Sequence, residues 1–138
     1  MIQPRYLLDT NICIYIAKRR PPEVLRRFEQ LEVGAVAMSI ITYGELQFGA
    51  EKSRQAQLAH EKLVGLAEFI PVLALPEKAA IHYGRIRAKL EQAGTPIGAN
   101  DLWIAAHALA EDLIMVTKDT SEFSRIPKLR LENWAAGG

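Results

Sequence analysis

Short apolar runs alternate with longer stretches of helical spacing along this chain, and turn residues or helix caps separate them. Arg5-Tyr-Leu-Leu8 is short, largely apolar and cut off by Asp9-Thr-Asn11, which predicts a buried strand feeding a helix that continues to about Lys18. Pro21-Pro22 stops that helix and opens another carrying Val24, Leu25, Phe28 and Leu31. A second strand, Ala35 to Met38, ends at Ser39, whose hydroxyl can cap a helix through Glu45 to about Glu51. A helix with Leu58, Leu63, Leu66 and Ala67 inward then leads to a short strand around Phe69 to Val72.

Pro76 fits the first turn of a long helix, Glu77 to Ala93, with Ala79, Tyr83, Ile86 and Leu90 as its inner stripe and Gly94 as its stop. After the loop Thr95-Pro-Ile-Gly98, Asn100-Asp101 begins an apolar helix, Leu102 to Ala110, followed by the strand Leu113 to Thr117. A last extended piece, Leu129 to Leu131, precedes Glu132-Asn-Trp134. Short apolar strands alternating with helices predict an α/β domain with a parallel sheet covered on both faces. Ligands then bind beyond the carboxyl ends of the strands.

Composition narrows the classes. With 138 residues and 49% hydrophobic content, one domain over 1–138 with one sizeable core is expected. The 17 basic against 16 acidic side chains exclude a bulk polycation, so any nucleic-acid contact must use a local basic face. Lys18-Arg19-Arg20 and Arg85, Arg87 and Lys89 are candidates for steering phosphates, or are solvated helix surface. The single cysteine, Cys13, permits no internal disulfide and reads as a small buried apolar residue. No stretch is apolar enough for a secretory signal or a membrane span, and a cytoplasmic protein is expected.

Four acids stand apart because of where they fall. Asp9 follows the first strand, Glu45 lies one to two turns into the helix after the second, Asp101 opens the apolar helix, and Asp119 comes two residues after Val116-Thr117. Each has a bland reading, Asp9 and Asp101 as helix caps, Asp119 as a turn cap and Glu45 as a helix-edge residue. If the first, second and fourth strands are neighbours, however, all four converge on one end of the sheet. Two such charges 4 Å apart repel by about 4 kcal/mol at an effective dielectric of 20. No lysine or arginine is interleaved with Asp9, Glu45 or Asp101, so a hard divalent cation is the natural neutraliser. Oxygen-only ligands suit Mg²⁺ or Mn²⁺.

Other chemistries fit less well. His60, His82 and His107 lack the spacing of a helical metal pair with the acids. An aspartyl-phosphatase wants a second Asp two residues after the first, where this chain has Asn11. A receiver-like domain needs an acid after a central strand, and Ser39 stands after the second. Gly44 to Gly49 has the spacing of a phosphate loop but continues Ala50-Glu51 instead of Lys-Ser/Thr.

Leu7-Leu-Asp-Thr-Asn-Ile12, Ile41-Thr-Tyr-Gly-Glu-Leu46 with Gly49, Pro96-Ile-Gly-Ala-Asn-Asp-Leu-Trp-Ile-Ala-Ala106, Val116-Thr-Lys-Asp119 and Glu132-Asn-Trp134 together resemble the successive motifs of PIN domains in VapC-type toxins. The resemblance covers essentially the whole chain. It implies a Rossmann-like sheet, Mg²⁺ or Mn²⁺, and endonucleolytic cleavage of RNA. It maps the metal-binding acids onto Asp9, Glu45, Asp101 and Asp119, with Thr10, Asn11 and Thr117 as polar residues lining the site. It further implies a homodimer and a cognate antitoxin that also binds DNA. The Pro-Ile-Gly and Glu-Asn-Trp elements look most like toxins that cut the anticodon loop of initiator tRNA. Thr117-Lys118-Asp119-Thr120 departs from the commonest form of the fourth motif, and Lys118 is open to pairing with Asp119 or contacting a phosphate. The alternative is a catalytically silent PIN fold that binds RNA or protein.

Overall fold

The computed structural model describes residues 2–135. Among these residues five parallel strands, β1 (Tyr6–Leu8), β2 (Val36–Ser39), β3 (Val72–Leu73), β4 (Ile114–Val116) and β5 (Leu131–Glu132), lie in the order β3-β2-β1-β4-β5. The central strand is β1, with Leu8 level with Met38 on one side and Val116 on the other. The first, second and fourth strands are therefore neighbours, as convergence of the acids requires.

Among the described residues seven helices connect the strands: α1 (Thr10–Lys18), α2 (Pro22–Glu29), α3 (Ile40–Glu51), α4 (Ala56–Phe69), α5 (Glu77–Gln92), α6 (Ala99–Ala110) and α7 (Thr120–Phe123). Alternation along each strand feeds two cores, one per face. Tyr6, Leu8, Val36, Met38 and Val116 pack with Ile12, Val24, Leu46 and Leu63 from α1 to α4. Leu7 and Met115 point the other way, into Ile86 and Leu90 of α5, Leu102, Ile104 and Ala105 of α6, and Phe123 of α7. Because the sheet is covered on both faces, the strands read as apolar runs instead of alternating polar and apolar positions. Trp134 is buried edge-on to Tyr6, with ring centroids 5.5 Å apart, and its Nε1 donates to Glu132 Oε1 at 3.0 Å.

Four expectations are corrected. Phe69 closes α4 and is 55% exposed, so the third strand is only Val72–Leu73, starting where Met38 N donates to the Pro71 carbonyl. Leu58 is on the outer side of α4, where solvation of one leucine costs little beside the burial of Leu63. The last strand is displaced to Leu131–Glu132, because its ladder partners are Met115 and Val116. The apolar helix α6 begins at Ala99 behind Gly98, so Asp101 is its third residue and not its cap. Among the described residues no helix is long and apolar enough to cross a membrane.

Candidate active site

All four predicted acids stand at the carboxyl edge of the sheet, and the chain holds each differently. Asp9 is the residue after β1, tied to β4 through its own N–H on the Val116 carbonyl at 3.0 Å. Its side chain is 4% exposed and caps α1, with Oδ1 accepting from Ile12 N at 3.0 Å. Burial pushes the Asp9 carboxyl above its usual range, against the stabilising hydrogen bonds from Thr117 and Ile12; repulsion by Asp119 and Glu45 adds to the rise. The cap reading thus holds for Asp9, whose carboxyl also lies at the edge where the other acids stand.

Glu45 is brought in by α3. That helix starts at Ser39, whose Oγ accepts from Ile41 N at 3.1 Å. Thr10 Oγ1 donates to Glu45 Oε1 in a short hydrogen bond, and Asn100 Nδ2 donates to Oε2 at 3.3 Å. Glu45 therefore links the first turns of α1 and α6. Thr117 is fully buried after β4, and its Oγ1 accepts from Asp119 N at 3.0 Å while serving Asp9. Of the polar residues expected to line the site, Thr10 and Thr117 support the acids directly. Asn11 is half-buried on α1 and hydrogen-bonds none of the acids among the described residues.

Asp101 lies on the first turn of α6. Its carboxyl is pushed up to about 6, first by burial and then by repulsion from Glu122, Glu45, Asp9 and Asp119. No basic group appears among the charges acting on it. Asp119 precedes α7 but does not cap it through its side chain. Glu122, three residues on, exerts the strongest charge effect on Asp101 and is a fifth acid of this edge that sequence reasoning missed. Its spacing from Asp119, i to i+3 on one helical turn, was the available signal.

Lys118 forms no salt bridge with Asp119 among the described residues; it is exposed, lies 5.9 Å above the Tyr15 ring and is held above its usual range first by its hydrogen bond to Tyr15 and then by the charges of Tyr15, Asp119 and Asp9. Of the histidines, His107 is buried with Nδ1 2.9 Å from Ser39 Oγ, His60 Nε2 is 2.6 Å from Glu51 Oε2, and His82 lies on α5. Cys13 is fully buried, which pushes its thiol well above the usual range.

The donor set is all oxygen, places four like charges in repulsion with the Asp101 carboxyl and opens to solvent in a shallow hollow lined by Glu45, Gly98, Ala99, Asn100 and Asp101. That chemistry fits a hard divalent cation. Among the described residues, no three acid, histidine or cysteine side chains are grouped closely enough to hold one ion.

Comparison with known proteins decides the family. The PIN domain family model matches residues 6–129. Ribonuclease VapC2 of Haemophilus influenzae is 45% identical over 130 residues, which span 94% of this chain and 98% of that one. The chain belongs to the VapC family of PIN-domain ribonucleases. The tRNA(fMet)-specific endonuclease VapC of Shigella flexneri is 42% identical over 131 residues, 95% of this chain and 98% of that one. Among solved structures, DNA-bound VapBC from Salmonella typhimurium aligns with a TM-score of 0.89 at 39% identity, covering 96% of this VapC-family chain and 99% of that one. PIN-domain VapC nucleases are generally dependent on a divalent metal.

Proposed function

We propose that this chain is the toxin of a type II toxin-antitoxin pair that hydrolyses a phosphodiester bond of tRNA, with initiator tRNA favoured, at the edge formed by Asp9, Glu45, Asp101 and Asp119. The observation that carries the reading is the repulsion that four other carboxylates exert on Asp101, with no basic group among the charges acting on it. A fold tolerates that arrangement when positive charge arrives with the ligand. The names of the Shigella and Salmonella relatives, both tRNA(fMet)-specific endonucleases, support the substrate.

Asp9 and Asp101 are the principal ligands of Mg²⁺ or Mn²⁺ in this reading. Glu45, steadied by Thr10 and Asn100, completes the shell or orients the attacking water, and Asp119 serves a second, weaker position. A divalent ion there supplies a lowered pKa for water and neutralises charge on the attacked phosphate. Asp9 is locked by Ile12 N and Thr117, so the edge has one fixed carboxylate against which the others and the RNA are placed. The test is to incubate purified protein with bulk tRNA in Mg²⁺, Mn²⁺ and EDTA and to map the new 5′ ends. A unique cut that EDTA abolishes supports the reading; intact RNA in every buffer overturns it.

The partner is a DNA-binding antitoxin in the cytoplasm, supported by the VapBC complexes from Salmonella typhimurium and Rickettsia felis. A groove of about 800 Å³ between α1, α2 and α4, lined by Ile16, Leu25, Phe28, Leu31, Leu66 and Phe69, suits an amphipathic segment of it. An arginine or lysine beyond that segment would enter the acidic edge in place of the cation. A second copy of the chain completes a homodimer, for which Ile40 and Phe48 on α3 and Ile81 on α5 are exposed apolar side chains.

A further inference from the structure

A second uncompensated cluster of like charge lies away from the acids. Between α5, the end of α6 and the segment joining α7 to β5 there is a cleft of about 220 Å³. His82, Arg85, Lys89, Arg125 and Lys128 line it over an apolar floor that includes Ile86 and Leu90, and no acid is part of the lining. We infer that this cleft is a phosphate-binding track for the tRNA backbone, distinct from the cleavage edge and beginning beside it; the inference rests on the ribonuclease reading above.

Three observations carry it. Arg85 and Lys89 are one helical turn apart, a spacing at which like charges repel. The intervening Arg87 shows what the same helix does when it neutralises a cation: Nε donates to Glu91 Oε2 at 2.8 Å and Nη1 to Tyr83 Oη at 2.8 Å. Among the described residues, Arg85, Lys89, Arg125 and Lys128 form no such salt bridge, although the chain carries almost as many acids as bases.

Second, one wall is anchored. Arg125 Nη1 donates to the Thr95 carbonyl at 2.9 Å, which ties the residues after α7 to the loop that delivers α6. That bond uses one of five guanidinium donors, and the planar fork suits a phosphate. Third, the cleft starts on chain segments that lead directly into those of the acidic edge. Arg125 is three residues beyond Glu122, which acts on Asp101, and Thr95 is four residues before the first residue of α6. From there the cleft runs along α5 to His82 and the last turn of α6 at Leu109. In a chain of formal net charge +1, a cluster of this kind is a local device and not the by-product of a basic protein.

The experiment pairs Arg85→Glu/Lys128→Glu with Lys52→Glu/Arg54→Glu, which changes net charge equally on the α3–α4 connection. Fluorescently labelled bulk tRNA is the probe. Binding is read in EDTA as a function of salt, and cleavage is read with Mg²⁺ on tRNA and on a short RNA spanning only the mapped cut. The track predicts that the first pair weakens tRNA binding at least about tenfold and flattens the salt slope by about 1 for each phosphate no longer neutralised. Turnover of the short RNA stays at the wild-type value, and the control pair binds tRNA normally.

Unchanged tRNA binding in the first pair overturns the inference. So does an equal loss in the control pair, which would mark bulk charge, or loss of short-RNA cleavage, which would mark damage to the acidic edge. A duplex DNA probe whose binding depends on the cleft when that of tRNA does not would assign the cleft to DNA and overturn it as well. Wild-type protein that binds tRNA through the cleft without cutting it would refute the ribonuclease reading and leave the track standing.

Discussion

Asp9 and Asp101 stand at the same edge of the same sheet, and the chain treats them in opposite ways. Asp9 is buried, caps α1 and is served by Ile12 N and Thr117, so much of the cost of its charge is offset inside the fold. Asp101 is half-buried on the first turn of α6, takes no capping role and faces Glu122, Glu45, Asp9 and Asp119 without a cation. A favourable N-terminal helix position is worth ~0.3–1 kcal/mol and does not answer that repulsion. The difference separates a carboxylate that the fold needs from one that the fold merely tolerates.

The largest effect that could break this comparison is on catalysis. Asp101→Asn should lower kcat/KM on tRNA by more than about 100-fold, the size reached by groups that only support a metal ligand. In metal-free protein at pH 7.5 the same change should raise Tm, because it removes a repelled charge. Asp9→Asn should be equally inactive and close to wild type in stability, since asparagine also caps helices, whereas Asp9→Ala should lose about 1 kcal/mol. Cleavage assays and thermal melts of the three variants check both halves. An Asp101→Asn protein less stable than wild type without metal would show that Asp101 has a structural job as well.

The pH dependence follows from the same asymmetry. Folded Asp101 titrates at about 6, above the ~3.9 of an unfolded aspartate, so between those values the folded chain holds a proton that the unfolded chain has released. Its contribution to metal-free stability is therefore fully present below about pH 4 and is lost as pH rises through about 6. Melts of wild-type protein in EDTA should show that decline, and the wild-type minus Asp101→Asn difference should vanish towards pH 4. A difference independent of pH would contradict the shift.

Much of this edge was legible because its members follow strand ends, where a polar residue interrupts an apolar run: Asp9 after Leu8, Ser39 before the helix of Glu45, Thr117 and Asp119 after Val116. Glu122 was far less legible, because α7 is four residues long and leaves only the i to i+3 spacing from Asp119 to place it. Phe69 deceived by being aromatic beside Ile70 and Val72, when its position on the last turn of α4 was set by the ladder starting only at Val72. The basic cleft was half legible: Arg85 and Lys89 were visible as a stripe, but Arg125 and Lys128 join it only through the packing of the α7–β5 segment on α5.

Glu122 gives a smaller effect that sharpens the comparison. Glu122→Gln removes the strongest charge acting on Asp101, so the pH midpoint of the metal-free stability decline should move down, while the capped and buried Asp9 keeps its role. Cleavage at neutral pH should fall by only a few fold. A midpoint that stays in place would remove Glu122 from the edge.

The most direct test of the central claim, that this acidic edge is completed by a divalent cation, is Mn²⁺ titration calorimetry in buffers of different ionisation enthalpy. Because the Asp101 carboxyl is pushed up to about 6, wild-type protein should release more protons on binding Mn²⁺ at pH 6 than at pH 8, and Asp101→Asn should bind far more weakly with less release at pH 6. Equal Mn²⁺ affinity and equal proton release in the two proteins would contradict the account.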